Sequence, residues 1–220
     1  MKILVTLLIC TALLLSYLSG YTQTCKLSCP ANIILKADNG MEGALVSFPP
    51  VTSLGAGDCG VISYSRTNGS FFRIGSHSII VTSASGEKCA FTLTVTDNEP
   101  PQLSELTLSA KRIWPASNRM KKVAVYYTSS DNAKNVINDL SVQSNNNEPA
   151  NKDFEVINKH MIRLKASRLP SGEPRIYTIT VTSTDEAGNK TRRSTSIAVS
   201  KTMGLTYTRN VVSSLANLED

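Results

Sequence analysis

With 220 residues, the chain is long for one domain once a leader is set aside, and comfortable for two domains of about 100 residues. It holds only two histidines, His77 and His160, and neither lies in a local pattern that offers a nucleophile, base and orienting group; no Cys/His metal motif or Gly-rich phosphate loop occurs either. These absences argue against an enzyme and leave no expected catalytic residue. The net charge of +6 is unevenly placed: residues 25–98 balance five Lys/Arg against five Asp/Glu, whereas residues 99–201 set sixteen against ten.

The first element is a leader. Met1-Lys2 is positive, residues 3–18 are almost wholly apolar, and Ser19-Gly20 supplies small residues. The apolar run falls short of the roughly 20 residues that span a bilayer, so residues 1–22 read as a signal peptide, with no membrane span in the mature chain. Of five cysteines, Cys10 lies in the leader, and Cys25, Cys29, Cys59 and Cys89 remain. An even number in an exported chain points to two disulfides; three pairings are possible and the count does not choose among them.

From residue 25 to 98, short apolar runs alternate with turn residues. Strands are expected at residues 33–36, at 44–48 with Ala44, Val46 and Phe48 on one face, at 61–66, 71–73 and 78–83. Asn68-Gly69 suits the positive φ of a tight hairpin. Residues 88–96 are the clearest strand: Phe91, Leu93 and Val95 alternate with Thr92, Thr94 and Thr96. Pro100-Pro101 then ends the ladder and marks a stiff hinge.

The second half repeats the grammar. Strands are expected at 106–109, 121–128, 136–143 (with Ile137 and Leu140 toward a core), 154–157, 161–166, 175–184 and 190–200. Residues 144–152 form a polar loop. Trp114 is expected to plug a core or hinge. Residues 202–220 place Val211, Val212, Leu215 and Leu218 at helical spacing, which reads as a short helix or a frayed tail. The chain is therefore all-β: two tandem β-sandwich domains, 25–98 and 99–201, after a signal peptide.

Two surfaces carry candidate chemistry. Lys111, Arg112, Arg119, Lys121 and Lys122 form one basic run; Arg163, Lys165 and Arg168 form another. Together they would bind acidic or sulphated glycans, or they are a solvated face with interspersed signs. Asp97-Asn98-Glu99 and Asp185-Glu186 with Asn189 offer oxygen ligands for calcium, with Asp97, Asn98 and Asp185 as the core set, although no EF-hand spacing exists.

Finally, Cys29-Pro30-Ala31-Asn32-Ile33, Asp58-Cys59-Gly60-Val61, Phe72-Arg73-Ile74-Gly75-Ser76-His77 and Cys89 through Asp97 with the following Pro-Pro resemble a hyalin repeat (HYR) domain over about residues 25–101. The second half resembles, more loosely, the immunoglobulin-like modules that accompany such repeats. The resemblance implies an immunoglobulin-like fold and a secreted, non-enzymatic adhesion or interaction role, with an extracellular protein or glycan as partner and no nucleic acid. The chain departs from the family at Met41-Glu42-Gly43, where a cysteine is frequent, at the extra Cys25, and at the shortened turn Ser85-Gly86-Glu87. The pairing expected beside this resemblance is Cys29 with Cys59 and Cys25 with Cys89.

Overall fold

A computed structural model of the chain describes residues 24–54, 57–133, 135–146 and 153–201. The expected signal peptide, the tail 202–220 and most of the polar loop lie outside these residues. The chain divides into two compact units, one of residues 1–38 and 43–96, the other of residues 39–42 and 97–220. Both are all-β and immunoglobulin-like sandwiches in architecture.

The first unit contains β1 (Lys26–Ser28), β2 (Ile33–Lys36), β3 (Gly43–Val46), β4 (Thr52–Leu54), β5 (Ile62–Tyr64), β6 (Ser70–Arg73), β7 (Gly75–Ser83) and β8 (Lys88–Thr96). A four-stranded sheet runs β2-β8-β7-β5, and two-stranded sheets pair β3 with β6 and β1 with β4. Period-two alternation decides which side is buried. Phe91, Leu93 and Val95 of β8, with Ile79 and Val81 of β7, meet Ala44, Val46 and Phe72 from the β3–β6 pair. Each large apolar side chain buried this way contributes about 1.5–3 kcal/mol. Phe48 sits between the layers, edge-on to Phe91 with ring centroids 5.3 Å apart. Gly43 lets β3 approach β6: a Cβ there would lie 2.1 Å from the Phe72 carbonyl oxygen.

Two expectations for this unit are corrected. Asn68-Gly69 does turn the chain, with Gly69 at φ 79°, but the flanking strands are not hairpin partners, since β5 pairs with β7 and β6 with β3. Asn68 instead clasps Phe48, accepting from its N–H at 2.9 Å and donating to its carbonyl at 3.0 Å. The disulfides join Cys25 to Cys59 and Cys29 to Cys89, the reverse of the expected pairing. Strand register gives the reason. β2 lies parallel to β8 with Ile33 beside Leu93; the same offset of 60 carried back along both strands sets Cys29 beside Cys89. β1 runs antiparallel to β4 with Lys26 beside Leu54, so Cys25 stands at the end of the pairing from which the chain goes on to Cys59.

The second unit contains β9 (Gln102–Leu103), β10 (Thr107–Leu108), β11 (Met120–Tyr126), β12 (Ser129–Ser130), β13 (Val136–Ser144), β14 (Phe154–Asn158), β15 (Met161–Lys165), β16 (Ile176–Asp185) and β17 (Lys190–Ala198). Its sheets run β10-β11-β15-β14 and β13-β16-β17, with β9 paired to β12. Tyr177, Ile179 and Val181 of β16 pack with Val123, Val125, Ile162 and Leu164 from the facing sheet. Ile137 is 69% exposed, not a core residue, because the inward positions of β13 are Leu140 and Val142; Ile137 is an odd number of residues from Leu140 and so lies on the other face. Trp114 is 43% exposed and plugs nothing.

A buried polar knot replaces the missing cysteines. Arg175 and Asp153 are both buried and ion-paired through Nη1 and Oδ2. Asp153 Oδ2 also accepts Asn146 Nδ2 at 2.8 Å, and Arg175 Nε donates to the Ser167 carbonyl at 3.1 Å. The Tyr177 hydroxyl lies 3.0 Å and 2.9 Å from the Asp153 and Lys165 carbonyls, its one proton shared between them. Desolvation holds the phenol above its usual pKa.

Candidate metal centre

Three segments of the second unit bring carboxylates together. Asp97 is the first residue after β8, Asp131 follows β12, and Asp185 ends β16. One oxygen from each lies within 4.8 Å of the others. Asp185 occupies an inward position of β16, two residues beyond Ser183 and four beyond Val181, and is itself buried. The β16–β17 turn holds it: Asn189 donates its backbone N–H to Oδ1 and its side-chain amide to Oδ2, each at 2.8 Å. Gly188, at φ 92°, supplies the left-handed step that this turn needs. The Asn189 amide also lies 3.3 Å from the Glu99 carbonyl and 3.5 Å from the Asp97 carbonyl, so one side chain ties the 97–99 segment to the turn. Asp97 Oδ1 accepts the Glu99 N–H at 3.0 Å, and Asp131 Oδ2 accepts the Ala133 N–H at 2.9 Å.

What remains open is informative. Asp97 Oδ2 and the Asn132 side-chain oxygen are buried and have no hydrogen-bond partner. A buried lone pair without a donor costs about 1–3 kcal/mol, more when the group is charged. The Asp131 carboxyl is held above its ordinary value, first by burial and then, against its backbone hydrogen bond, by the negative charges of Asp97 and Asp185. A cation would answer both conditions. The donors are all oxygen, which suits a hard divalent ion, and carboxylate, amide and carbonyl oxygens are the calcium set. The residues present therefore fit calcium: Asp97, Asp131 and Asp185 would hold it, with Asn132 supplying a neutral oxygen. Of the three residues named from sequence, Asp97 and Asp185 are brought together, whereas Asn98 is exposed. Asp131 is the member of the triad that sequence reasoning does not name, because an Asp-Asn pair is explained equally well by a turn.

The two basic runs do become neighbours. β11 and β15 are adjacent, with Lys122 opposite Arg163 and Met120 opposite Lys165. The second run is largely engaged, however. Arg163 pairs with Glu155 at 2.9 Å, Lys165 Nζ lies 3.9 Å from Asp153, and Arg168 donates to the carbonyls of Gly172 and Val199. Lys111, Arg119, Lys121 and Lys122 are exposed, and Arg112 is partly buried. The histidines lie in different units. His77 Nε2 is 2.7 Å from the Arg73 carbonyl, and His160 stacks on Tyr127.

No family model matches the chain, and no curated protein matches it. Solved structures do. The chain is similar to the extracellular cadherin domains 1–4 of protocadherin gamma B7 (15% identity, TM-score 0.36, covering 80% of this chain and 50% of that one). It is also similar to the N-terminal eight Ig domains of Down syndrome cell adhesion molecule (9%, 0.38, 79% and 27%), and to human mucin-like protocadherin EC1-2 (12%, 0.34, 80% and 98%). The chain thus spans half of the first and about a quarter of the second. Likeness this distant carries no functional assignment.

Proposed function

We propose that this is an exported, non-enzymatic adhesion or interaction protein whose second unit is a calcium-dependent module. The observation that carries the reading is the carboxylate triad. Among the described residues it is the one gathering of three or more Asp, Glu, His or Cys side chains able to share an ion. The set offers carboxylate and amide oxygens only, a donor set suited to gripping a hard cation. The paired cysteines fit an oxidising compartment outside the cytosol. The motif order from Cys29 to Asp97 supports a hyalin-repeat type for the first unit. On this reading both sandwiches act as scaffolds, and their loops and faces meet an extracellular protein or glycan.

Calorimetry of the full chain in calcium, magnesium or chelator tests it. Calcium should raise the unfolding temperature of the second unit more than magnesium does, and Asp131→Asn should abolish the gain. Identical melting in calcium and chelator would sink the calcium reading; turnover of an ester, glycoside or peptide panel would sink the non-enzymatic one. A second reading, polyanion binding, is favoured by the placement of Lys122 beside Arg163. It requires salt-sensitive heparin binding that Lys121→Glu/Lys122→Glu removes.

A further inference from the structure

We propose that a cleft at Tyr126, Tyr127 and His160 binds a neutral saccharide, at a site separate from both the carboxylate triad and the basic runs. The cleft is a shallow, open hollow of about 510 Å³ beside β10 and β11, a shape that covers one face of a ligand rather than surrounding it. Its wall combines aromatic rings with Thr107, Thr128 and the Glu105 carboxylate. Tyr126 is 56% exposed although tyrosine is costly to leave open to water, and it sits opposite Thr107 in the β10–β11 register.

The geometry narrows the ligand. Tyr127 and His160 stack on each other, with centroids 4.6 Å apart and planes 27° apart. They are fixed there: the Tyr127 hydroxyl donates to the Lys159 carbonyl at 3.0 Å, and His160 Nδ1 lies 3.2 Å from the Val125 carbonyl. A carbonyl only accepts, so Nδ1 is the donor of this bond and Nε2 is the nitrogen left to face a ligand. One face of Tyr127 is thus taken by His160, and Tyr126 is the more exposed ring. One open ring suits a flat ligand laid against it, not an ammonium group that must be enclosed by several rings. Around it stand hydroxyl, carboxylate and imidazole groups, which exchange hydrogen bonds with an edge of sugar hydroxyls. No Lys or Arg is among the lining residues, and Arg193 beside them faces the Glu105 carboxylate at 3.7 Å, so the wall itself offers a sulphated or acidic sugar no counter-charge. Glu105 is itself in solvent and 3.7 Å from Arg193, so its pull on a cationic ligand is weak.

The test is a panel of neutral oligosaccharides, followed by titration calorimetry on the full chain. Wild type should bind at least one neutral oligosaccharide. Tyr126→Ala should weaken it about tenfold, a usual loss when a stacking ring is removed, whereas Tyr126→Trp should retain it. Glu105→Gln, a change at a solvent-exposed side chain that leaves the fold alone, should weaken binding severalfold, and Lys121→Glu/Lys122→Glu should leave it unchanged. Absence of any neutral ligand overturns the proposal. So does binding that survives both Tyr126→Ala and Glu105→Gln, or that is lost with the lysine pair instead.

Discussion

The two units reach the same architecture by different means. The first closes a core of twelve buried residues, one of them Cys59, and adds two disulfides. The second has no cysteine, packs an apolar core of fifteen among the described residues, and ties its layers with the Arg175–Asp153 pair and the Tyr177 hydroxyl. A covalent bridge acts mainly on the unfolded chain, which it shortens, and it is indifferent to solvent polarity. A buried ion pair acts only in the folded state, and it holds only while every partner is present. One unit should therefore be sensitive to redox conditions and the other to single polar substitutions.

The largest effect expected from this contrast comes from reduction. Loops of 34 and 60 residues are closed by the bridges, so each is worth about 4 kcal/mol by loop entropy. Reductant should lower or abolish the first unit's calorimetric transition and leave the second in place; loss of both together would break the comparison. Next in size, Asp153→Ala strands Arg175 in the core and should cost the second unit about 3–5 kcal/mol, read by denaturant unfolding. The first unit should not respond.

The smallest effect concerns pH. Asp131 has a folded pKa above its ordinary 3.8, so in chelator the folded state binds the proton more tightly than the unfolded state does. Its contribution then falls as pH rises through that window, and metal-free stability attributable to this group is greater on the acid side. Calcium reverses the sign, because protons compete for the same oxygens. Thermal midpoints measured against pH, with and without calcium, should show opposite slopes for wild type, and Asp131→Asn should remove the difference.

Most strands were legible because one face of each is buried. Phe91, Leu93 and Val95, and again Tyr177, Ile179 and Val181, alternate without a break. The same parity carried outward would have found two more residues. Arg175 and Asp185 share the inward phase of Tyr177, so both belong to the interior despite their charge. Polarity masked the pattern there, since a charged side chain is read as solvent-facing unless a partner is in view. Asp153, the partner of Arg175, lies 22 residues away, beyond any local period, and Asp185 is satisfied by Asn189 of the turn that follows it. Disulfide pairing was hidden for a related reason. Cys25 and Cys29 flank a three-residue strand, and the antiparallel β1–β4 pairing between them and the parallel β2–β8 pairing after them separate their fates.

The grip of Asn189 on the 97–99 segment has a further consequence, for covalent modification. Asn189-Lys190-Thr191 and Asn68-Gly69-Ser70 are the chain's two N-linked glycosylation triplets. In the folded protein the amide nitrogen of each is already donating, from Asn68 to Phe48 and from Asn189 to Asp185. A glycan takes one of the two hydrogens on such a nitrogen, and at Asn189, whose amide faces Asp185 Oδ2 and the carbonyls of Asp97 and Glu99, it would displace one that the fold uses. Production in a glycosylating host thus sets sugar transfer against folding at Asn189, and replacing Thr191 with alanine removes that competition without touching the asparagine.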